Sequence, residues 1–383
     1  NPRVVRGLAR LDGQRASQFS LLNADDRFDA TFPDDRSIGR LYALADDLRW
    51  VDAGEARGSV QLPKRRFLRF ENGHLPLSSS DLVLLEPLQL LRDVLLTGKG
   101  ITDDGLDGLG YLRALRVLAL LYTATTDAGV ATISSFTTLF ELDLRACRIT
   151  DAALHHLRQL PELQSLAIAH TQLGDRSANR LAELQHLRRL SLHDVPLGNA
   201  AAEPLSMLSD LRALDVSRTR IGDAGVRALA RLPRLRRLNL GATPIGDHAI
   251  GSLIDLERLT QLDLHRTALT DSGLRRLAAL TGLTSLDLSQ TEISDKGLVY
   301  LASLDRMRSL NLSGTRITSH ALAALSYLPA LRMLDLAGTP IDDDAVPYLI
   351  AHAHLQHLTV RGTYLTRPAI DRLHERFPHL TFG

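Results

Sequence analysis

Residues 281–304 read TGLTSLDLSQTEISDKGLVYLASL. Apolar side chains fall at Leu283, Leu286, Leu288, Ile293, Leu298, Leu301 and Leu304, with Thr291, Asp295 and Gly297 between them. Shifted by 24 residues either way, the same skeleton fits again. If Leu283 is position 1, that position recurs at Leu91, Leu115, Leu139, Leu163, Leu187, Leu211, Leu235, Leu259, Met307, Leu331 and Leu355. Twelve units therefore follow in one register without an insertion. A fixed period of this kind marks a solenoid, in which each unit buries its apolar face against its neighbours.

Each position has a physical job. Positions 4 and 6 are apolar and flank a polar position 5, the alternation of a short strand with one face inward. Stacked in parallel, such strands lie about 4.8 Å apart. Position 9 is Thr in nine units, with Lys99, Cys147 and Val195 as exceptions. A buried hydroxyl there bonds backbone where the chain leaves the strand, which predicts a ladder of Thr along the stack. Position 13 is Asp in nine units, Asn199 or Ser319 in two others, and Arg367 in the last. These are N-cap residue types, so a short helix is expected to open at position 13. Leucines at positions 16, 19 and 22 then face the core. Helices are about 10 Å wide against about 4.8 Å per strand, so the predicted array curves with its sheet concave and its helices convex.

The array spans 91–370 and needs closed ends, because a solenoid end exposes its core and an open strand edge. Residues 1–37 show no period and read as an N-terminal extension, with a short helix near Val4–Arg15 and loop elsewhere. Residues 38–90 read as an N-terminal cap. Ile38–Leu44 and Leu48–Val51 are strand-like, and Gly58–Leu62 with Phe67–Phe70 read as a β-hairpin. Ser79 to Asp81 look like an N-cap, and Leu82, Leu85 and Leu88 form a half-repeat in the array's register. Residues 371–383 read as a C-terminal cap. The chain starts at Asn1 rather than Met and so reads as processed or trimmed.

These residues resemble the leucine-rich repeat family over about three quarters of the chain. The flavour is similar to the 24-residue bacterial type, L-x-x-L-x-L-x-x-T-x-I-T-D-x-G-L, and to the cysteine-containing repeats of F-box proteins. Of the ladder positions, only Cys147 carries that cysteine. The resemblance implies an α/β fold, a leucine-rich repeat horseshoe with a parallel sheet on the concave face, short helices on the convex face and a β-containing N-terminal cap. It also implies a binding scaffold. Some members are bacterial effectors, and some carry an attached catalytic domain.

Composition bounds the rest. The chain of 383 residues has 44% hydrophobic residues and a mean hydropathy of −0.04. No apolar run reaches the roughly 18 residues of a membrane span. A net charge of +1 gives no general pull toward nucleic acid or membrane. One cysteine excludes an intrachain disulfide. Of 45 basic residues only Lys64, Lys99 and Lys296 are lysine. A GC-rich genome is the plain reading of that skew, and avoidance of self-modification near ubiquitin machinery the sharper one.

No catalytic signature is present: there is no G-x-S-x-G, no H-E-x-x-H, no phosphate loop and no C-x-x-C. His352, His354 and His357 read as a solvated loop, and Cys147 as a ladder rung. No cofactor and no metal is expected. Position 5 forms a column of Asp143, Asp215, Asn239, Asp263, Asp287, Asn311 and Asp335, in which Asp263 and Asp287 are neighbours. Paired carboxylates can do acid–base chemistry, but a residue type repeated down a whole face is what a repeat template produces. The departures from the template are more informative. Arg189, His193, Asp215, Arg218, Arg237, Asp263, His265 and Arg266 gather on the expected concave face, where later repeats hold Ser, Gly and Ala. Alternating Arg and Asp suits a protein or peptide partner better than nucleic acid, whose phosphates the Asp column repels. His193 and His265 would tune such binding between about pH 5 and 8.

The reading is a non-enzymatic, monomeric protein-binding scaffold of bacterial type. The rival is the substrate-recruiting part of a bacterial effector or ubiquitin-ligase-like enzyme whose catalytic part lies elsewhere. Localisation follows the choice, cytoplasmic or delivered into a host cell. A second expectation concerns Leu95, Val117, Leu121 and Tyr122, apolar at outward positions of the first two repeats. Either residues 1–50 fold back over them or a partner does.

Overall fold

The period-2 alternation and the leucine spacing translate directly into strands and short helices. The computed structural model describes residues 91–352 and 354–377, with 79, 80 and 82, and the backbone of 19–20 and 67–70. The chain divides into two compact units, Asn1–Ser191 and Leu192–Gly383. In the first, the strands are β1 (Phe19–Ser20), β2 (Phe67–Phe70), β3 (Asp93–Thr97), β4 (Val117–Leu121), β5 (Glu141–Asp143), β6 (Ser165–Ala167) and β7 (Arg189–Ser191). β2 to β7 run parallel in chain order, and β1 is antiparallel to β2. In the second, β8 (Ala213–Asp215), β9 (Arg237–Asn239), β10 (Gln261–Asp263), β11 (Ser285–Asp287), β12 (Ser309–Asn311), β13 (Met333–Asp335) and β14 (His357–Thr359) are parallel in chain order. Every paired repeat strand is offset by one 24-residue period, as Leu262 against Leu286 shows.

Between strands the chain turns into short helices such as Asp127–Ile133, Asp223–Leu229 and Asp271–Leu277. The leucines at positions 1, 4, 6, 16, 19 and 22 fill the space between strand and helix. In the repeat from Leu259, Leu262, Leu264, Leu274 and Leu277 are all buried. Each such side chain contributes about 1.5–3 kcal/mol on leaving water. The fold class is thus an α/β solenoid of parallel strands alternating with short helices.

Two positions work differently from the sequence expectation. The helix N-cap lies at position 12, and the position-13 acid is the first helical residue. Its carboxylate reaches the N-cap of the next repeat. Asp247 Oδ1 accepts from the Thr270 N–H at 2.9 Å, and Oδ2 accepts from the Thr270 hydroxyl at 2.6 Å. That hydroxyl in turn accepts from the Ser272 N–H at 3.2 Å and caps its own helix. The same clamp joins Asp103 to Thr126, Asp127 to Thr150, Asp271 to Ser294 and Asp295 to Thr318. It also explains the glycine two residues later: a Cβ on Gly273 would meet Asp247 Oδ1 at 2.3 Å, and one on Gly297 would meet Asp271 Oδ1 at 2.3 Å.

The position-9 hydroxyls do bond backbone, but within their own repeat. Thr267 donates to the Leu264 carbonyl at 2.7 Å and Thr291 to the Leu288 carbonyl at 2.6 Å. Each closes a turn over positions 6 to 9 whose third residue has positive φ. That residue is Gly98, Gly314, Gly338 or Gly362 in four repeats, and a non-glycine such as Arg218, Ala242 or Arg266 in eight.

At the N-terminal side, Phe67–Phe70 is a strand, but its described partners are β3 and Phe19–Ser20. The other arm of the expected hairpin, 58–62, lies outside the described residues, as do Ile38–Leu44, Leu48–Val51 and the helix near Val4–Arg15. Phe19–Ser20 is strand where loop was expected. Ser79 occupies a position-13 place and its hydroxyl accepts from the Thr102 N–H at 2.8 Å, so the half-repeat begins the clamp series. Leu82 is buried in register with it. At the other end the helix Arg367–Arg376 runs across the boundary drawn at 370, with Pro368 accommodated in its first turn.

Candidate partner-binding face

In a strand, successive side chains alternate between faces. With positions 4 and 6 in the core, positions 3, 5 and 7 form the outward strand face. In the second unit that face carries Arg237 at position 3, Asp215, Asn239, Asp263, Asp287, Asn311 and Asp335 at position 5, and His265 at position 7, with Arg218 and Arg266 at position 8.

The position-5 column has a structural duty. The ladder to the next repeat uses the N–H groups of positions 6 and 8, as Leu240 to Asp263 and Ala242 to His265 show. The position-7 N–H is satisfied by the side chain two residues back. Asp215 accepts from Ser217, Asn239 from Gly241, Asp263 from His265, Asp287 from Ser289, Asn311 from Ser313 and Asp335 from Ala337, all at 2.8–3.0 Å. Asp143 does the same for Arg145 in the first unit. Such local side-chain-to-backbone bonds are what Asp and Asn do at the end of a strand. The column is therefore a set of turn supports.

Asp215 is 5% exposed. Its Oδ1 also accepts the Ser217 hydroxyl at 2.6 Å, and His193 Nδ1 lies 2.6 Å from the same hydroxyl. Since Ser217 gives its one proton to Asp215, His193 Nδ1 carries the proton of the second bond. Burial pushes the Asp215 carboxyl up, against the pull of Ser217. Asp263 and His265 form a second pair, Nδ1 to Oδ1 at 2.8 Å. That bond raises the His265 imidazole above its ordinary 6.5, against burial. The ring fits because position 7 of the preceding repeat is Gly241, whose added Cβ would lie 2.0 Å from His265 Nδ1. Asp287 is pushed up by burial and then by Asp263. Arg266 bonds Gln290 through Nε, Arg218 is exposed and Arg237 is half-buried.

Arg189 belongs to the first unit. It binds Glu141 Oε2 at 2.6 Å and Ser165 Oγ at 3.2 Å. Burial raises the Glu141 carboxyl even with Arg189 beside it. Sequence reading missed Ser217, Gly241 and Gln290. The available signal was a small or amide residue one period away from each His or Arg.

Two family models described as leucine rich repeat match this chain, one over residues 281–341 and one over 208–230. The family match covers those two stretches, and the fold is that of a leucine-rich repeat solenoid. Among solved structures, an internalin from Listeria monocytogenes is similar at 20% identity with a TM-score of 0.57, over 80% of this chain and 89% of that one. A leucine-rich repeat protein of Leptospira interrogans has 17% identity and a TM-score of 0.49, over 81% of this chain and 95% of that one. At 20% identity the likeness to the internalin concerns the fold. No curated protein matches the chain in sequence.

The leucine-rich repeat frame also explains the two residues that most resemble nucleophiles. Ser217 has no exposed surface and its proton is committed to Asp215. Cys147 is buried in the ladder position, where its thiol donates to the Leu120 carbonyl at 3.0 Å, and burial pushes its pKa to about 11. Neither is placed to attack a substrate.

Proposed function

We propose that this leucine-rich repeat protein is a non-enzymatic scaffold that binds a protein or peptide on the strand face of its second unit. The carrying observation is the grouping there of exposed Arg218 and Arg266, half-buried Arg237 and the Asp263–His265 pair, with His193 and Asp215 behind them. The same positions in β12 to β14 mostly hold Ser, Gly, Ala or Thr. Arg is a frequent anchor at protein interfaces because its planar fork pairs carboxylates bidentately. The acids are largely engaged in supporting their own turns, which leaves the arginines to contact a partner. The subtype we infer is the 24-residue bacterial one, supported by the uniform period and the position-13 acid with its following glycine.

Affinity capture tests the reading, with the purified chain, an Arg218→Ala/Arg237→Ala double variant and an Arg275→Ala helix-face variant as baits. The expected result is a protein retained by the wild type and by Arg275→Ala but lost with the double variant. Once the partner is in hand, each strand-face substitution should cost about 1–3 kcal/mol of affinity. Retention by the double variant and loss with Arg275→Ala would place the interface on the helices instead.

A further inference from the structure

Positions 17, 18, 20 and 21 of each repeat lie on the outer side of the helices, between the core leucines at 16, 19 and 22. In most repeats of the second unit those positions carry charge, as Glu203, Arg227, Asp255, Arg275 and Asp371 show. Three consecutive helical stretches, Val299–Ser303, Ser319–Tyr327 and Val346–Ala351, carry none there. Val299 and Tyr327 are 54% and 68% exposed, Pro347 is exposed, and Tyr300, Tyr348 and Ile350 are half-buried. An exposed apolar patch rimmed by polar residues marks an interaction surface. Three of the chain's seven tyrosines lie in this one, and tyrosine is enriched where charge is depleted at the centre of protein interfaces. The two borders of the patch differ in sign. Where these helices start, Asp295, Asp342, Asp343 and Asp344 stand against Lys296 and His320. Where they end, Arg306, Arg308 and Arg332 stand against Asp305.

We propose that this patch binds a second copy of the chain, so that two molecules pair helix face to helix face about a two-fold axis. Charge complementarity of the patch with itself selects that occupant. An axis lying in the interface at right angles to the helices makes the helices of the two copies run antiparallel. The uncharged centre then meets itself, and the acidic border of each copy meets the basic border of the other. An axis along the helices would set acidic border against acidic border, so the charges also fix the arrangement. Ala323 is exposed at the middle of the middle stretch and falls near the axis, where a small side chain lets the copies approach closely. The chain is thus a dimer where its sequence reads as a monomer. The pairing leaves the strand face of the second unit free in both copies.

Sedimentation equilibrium of the full-length chain tests this. Dimers are expected to dominate by about 100 μM. Ala323→Arg sets two guanidinium groups against each other near the axis and should weaken dimerisation roughly hundredfold or more. Its urea midpoint should match the wild type, because Ala323 is exposed. Arg275→Ala, on a helix outside the patch, should leave the dimer unchanged. A second measurement places benzoylphenylalanine at Tyr327 in a mixture of isotopically labelled and unlabelled chains. After irradiation, the expected adducts join position 327 of one copy to peptides within 299–351 of the other. A wild-type chain that stays monomeric at about 100 μM overturns the proposal. So does a dimer that Ala323→Arg leaves intact, or one whose adducts fall elsewhere. A monomer that holds an unrelated protein through the patch overturns it as well. Strand-face binding is measured separately, so either reading can fail alone.

Discussion

In β3 and β4 the outward positions hold the apolar Leu95, Ala119 and Leu121, whereas in β8 to β13 they hold mostly Asp, Asn, Ser and His. The inward faces of the two regions are alike, with Leu or Val at positions 4 and 6. The repeat template fixes the core and leaves the strand face free to vary. Where its side chains are apolar they cluster together, as Leu95, Ala119 and Leu121 do. Where they are polar, each position-5 acid or amide satisfies a backbone N–H that the ladder leaves over. The difference separates a strand face whose side chains bury one another from one whose side chains support their own turns.

The sharpest way to break this comparison is to exchange the chemistry. Leu121→Asp should destabilise the chain by about 3 kcal/mol, because a carboxylate is forced into a site that excludes water. Ser313→Asp, at the equivalent place in the repeat of β12, should cost less than about 1 kcal/mol. Urea midpoints of the two variants decide it. Equal losses would mean that the first strand face is as open as the second.

Removing one turn support comes next. Asp215→Ala strands the Ser217 N–H and leaves the Ser217 hydroxyl with His193 alone, and should cost about 1–3 kcal/mol. Asp215→Asn keeps an acceptor, as Asn239 does for Gly241. It also removes a carboxylate that burial disfavours, so at pH 7 it should be at least as stable as wild type. A large loss with Asn would assign the charge itself, rather than the acceptor, the structural role.

The period, the register, the core leucines and the position-9 hydroxyl bonds were all legible in the sequence, because each is set by spacing along one chain. The roles of the acids were not. Asp247 looks like an N-cap by type, but its partner Thr270 lies in the next repeat, and N-cap and first helical residue differ by one place. Asp263 and Asp215 read as half of a binding face, yet their bonds run to backbone two residues on, which no side-chain pattern reveals. The clustering of Arg218, Arg237 and Arg266 was legible. Arg189 was grouped with them, although its ion pair is with Glu141 in the first unit.

Two histidines sharpen the contrast between paired and unpaired burial through pH. His265 is raised above 6.5 by its bond to Asp263, with Asp287 adding and Arg266 and burial opposing. A base raised on folding stabilises below its unfolded pKa and loses that contribution as pH rises through the folded value. His352 is lowered by burial, and its Nε2 has no hydrogen-bond partner among the described residues. Its contribution is present above 6.5 and is lost as pH falls. Relative to wild type, His265→Gln should therefore lose more stability at pH 5.5 than at pH 8.5. His352→Gln should show the opposite trend. Thermal midpoints at the two pH values check both signs, and the same trend for both variants would refute the assignment.

The smallest effect isolates the backbone at position 8. Ala242 and Gly338 occupy equivalent turns with φ of 53° and 65°. A side chain in this left-handed region costs about 1–2 kcal/mol, and glycine avoids that cost. A Cβ added to Gly338 would approach nothing closer than 3.9 Å, so Gly338→Ala tests conformation without a steric clash. Alanine also restricts the unfolded chain, so the net loss should be a few tenths of a kcal/mol. Ala242→Gly runs the other way, but glycine also gains freedom in the unfolded chain, worth about 0.5–1 kcal/mol against the folded state. The net gain should therefore be a few tenths of a kcal/mol. Arg218 and Arg266 occupy this same place, so the arginines of the proposed binding face are held in a conformation that glycine would adopt more easily. If Arg218→Gly stabilises the chain like Ala242→Gly while abolishing capture of the partner, the arginine is kept there for contact rather than for the fold. If Arg218→Gly destabilises it instead, the side chain has a structural role and the binding face must be redrawn without it.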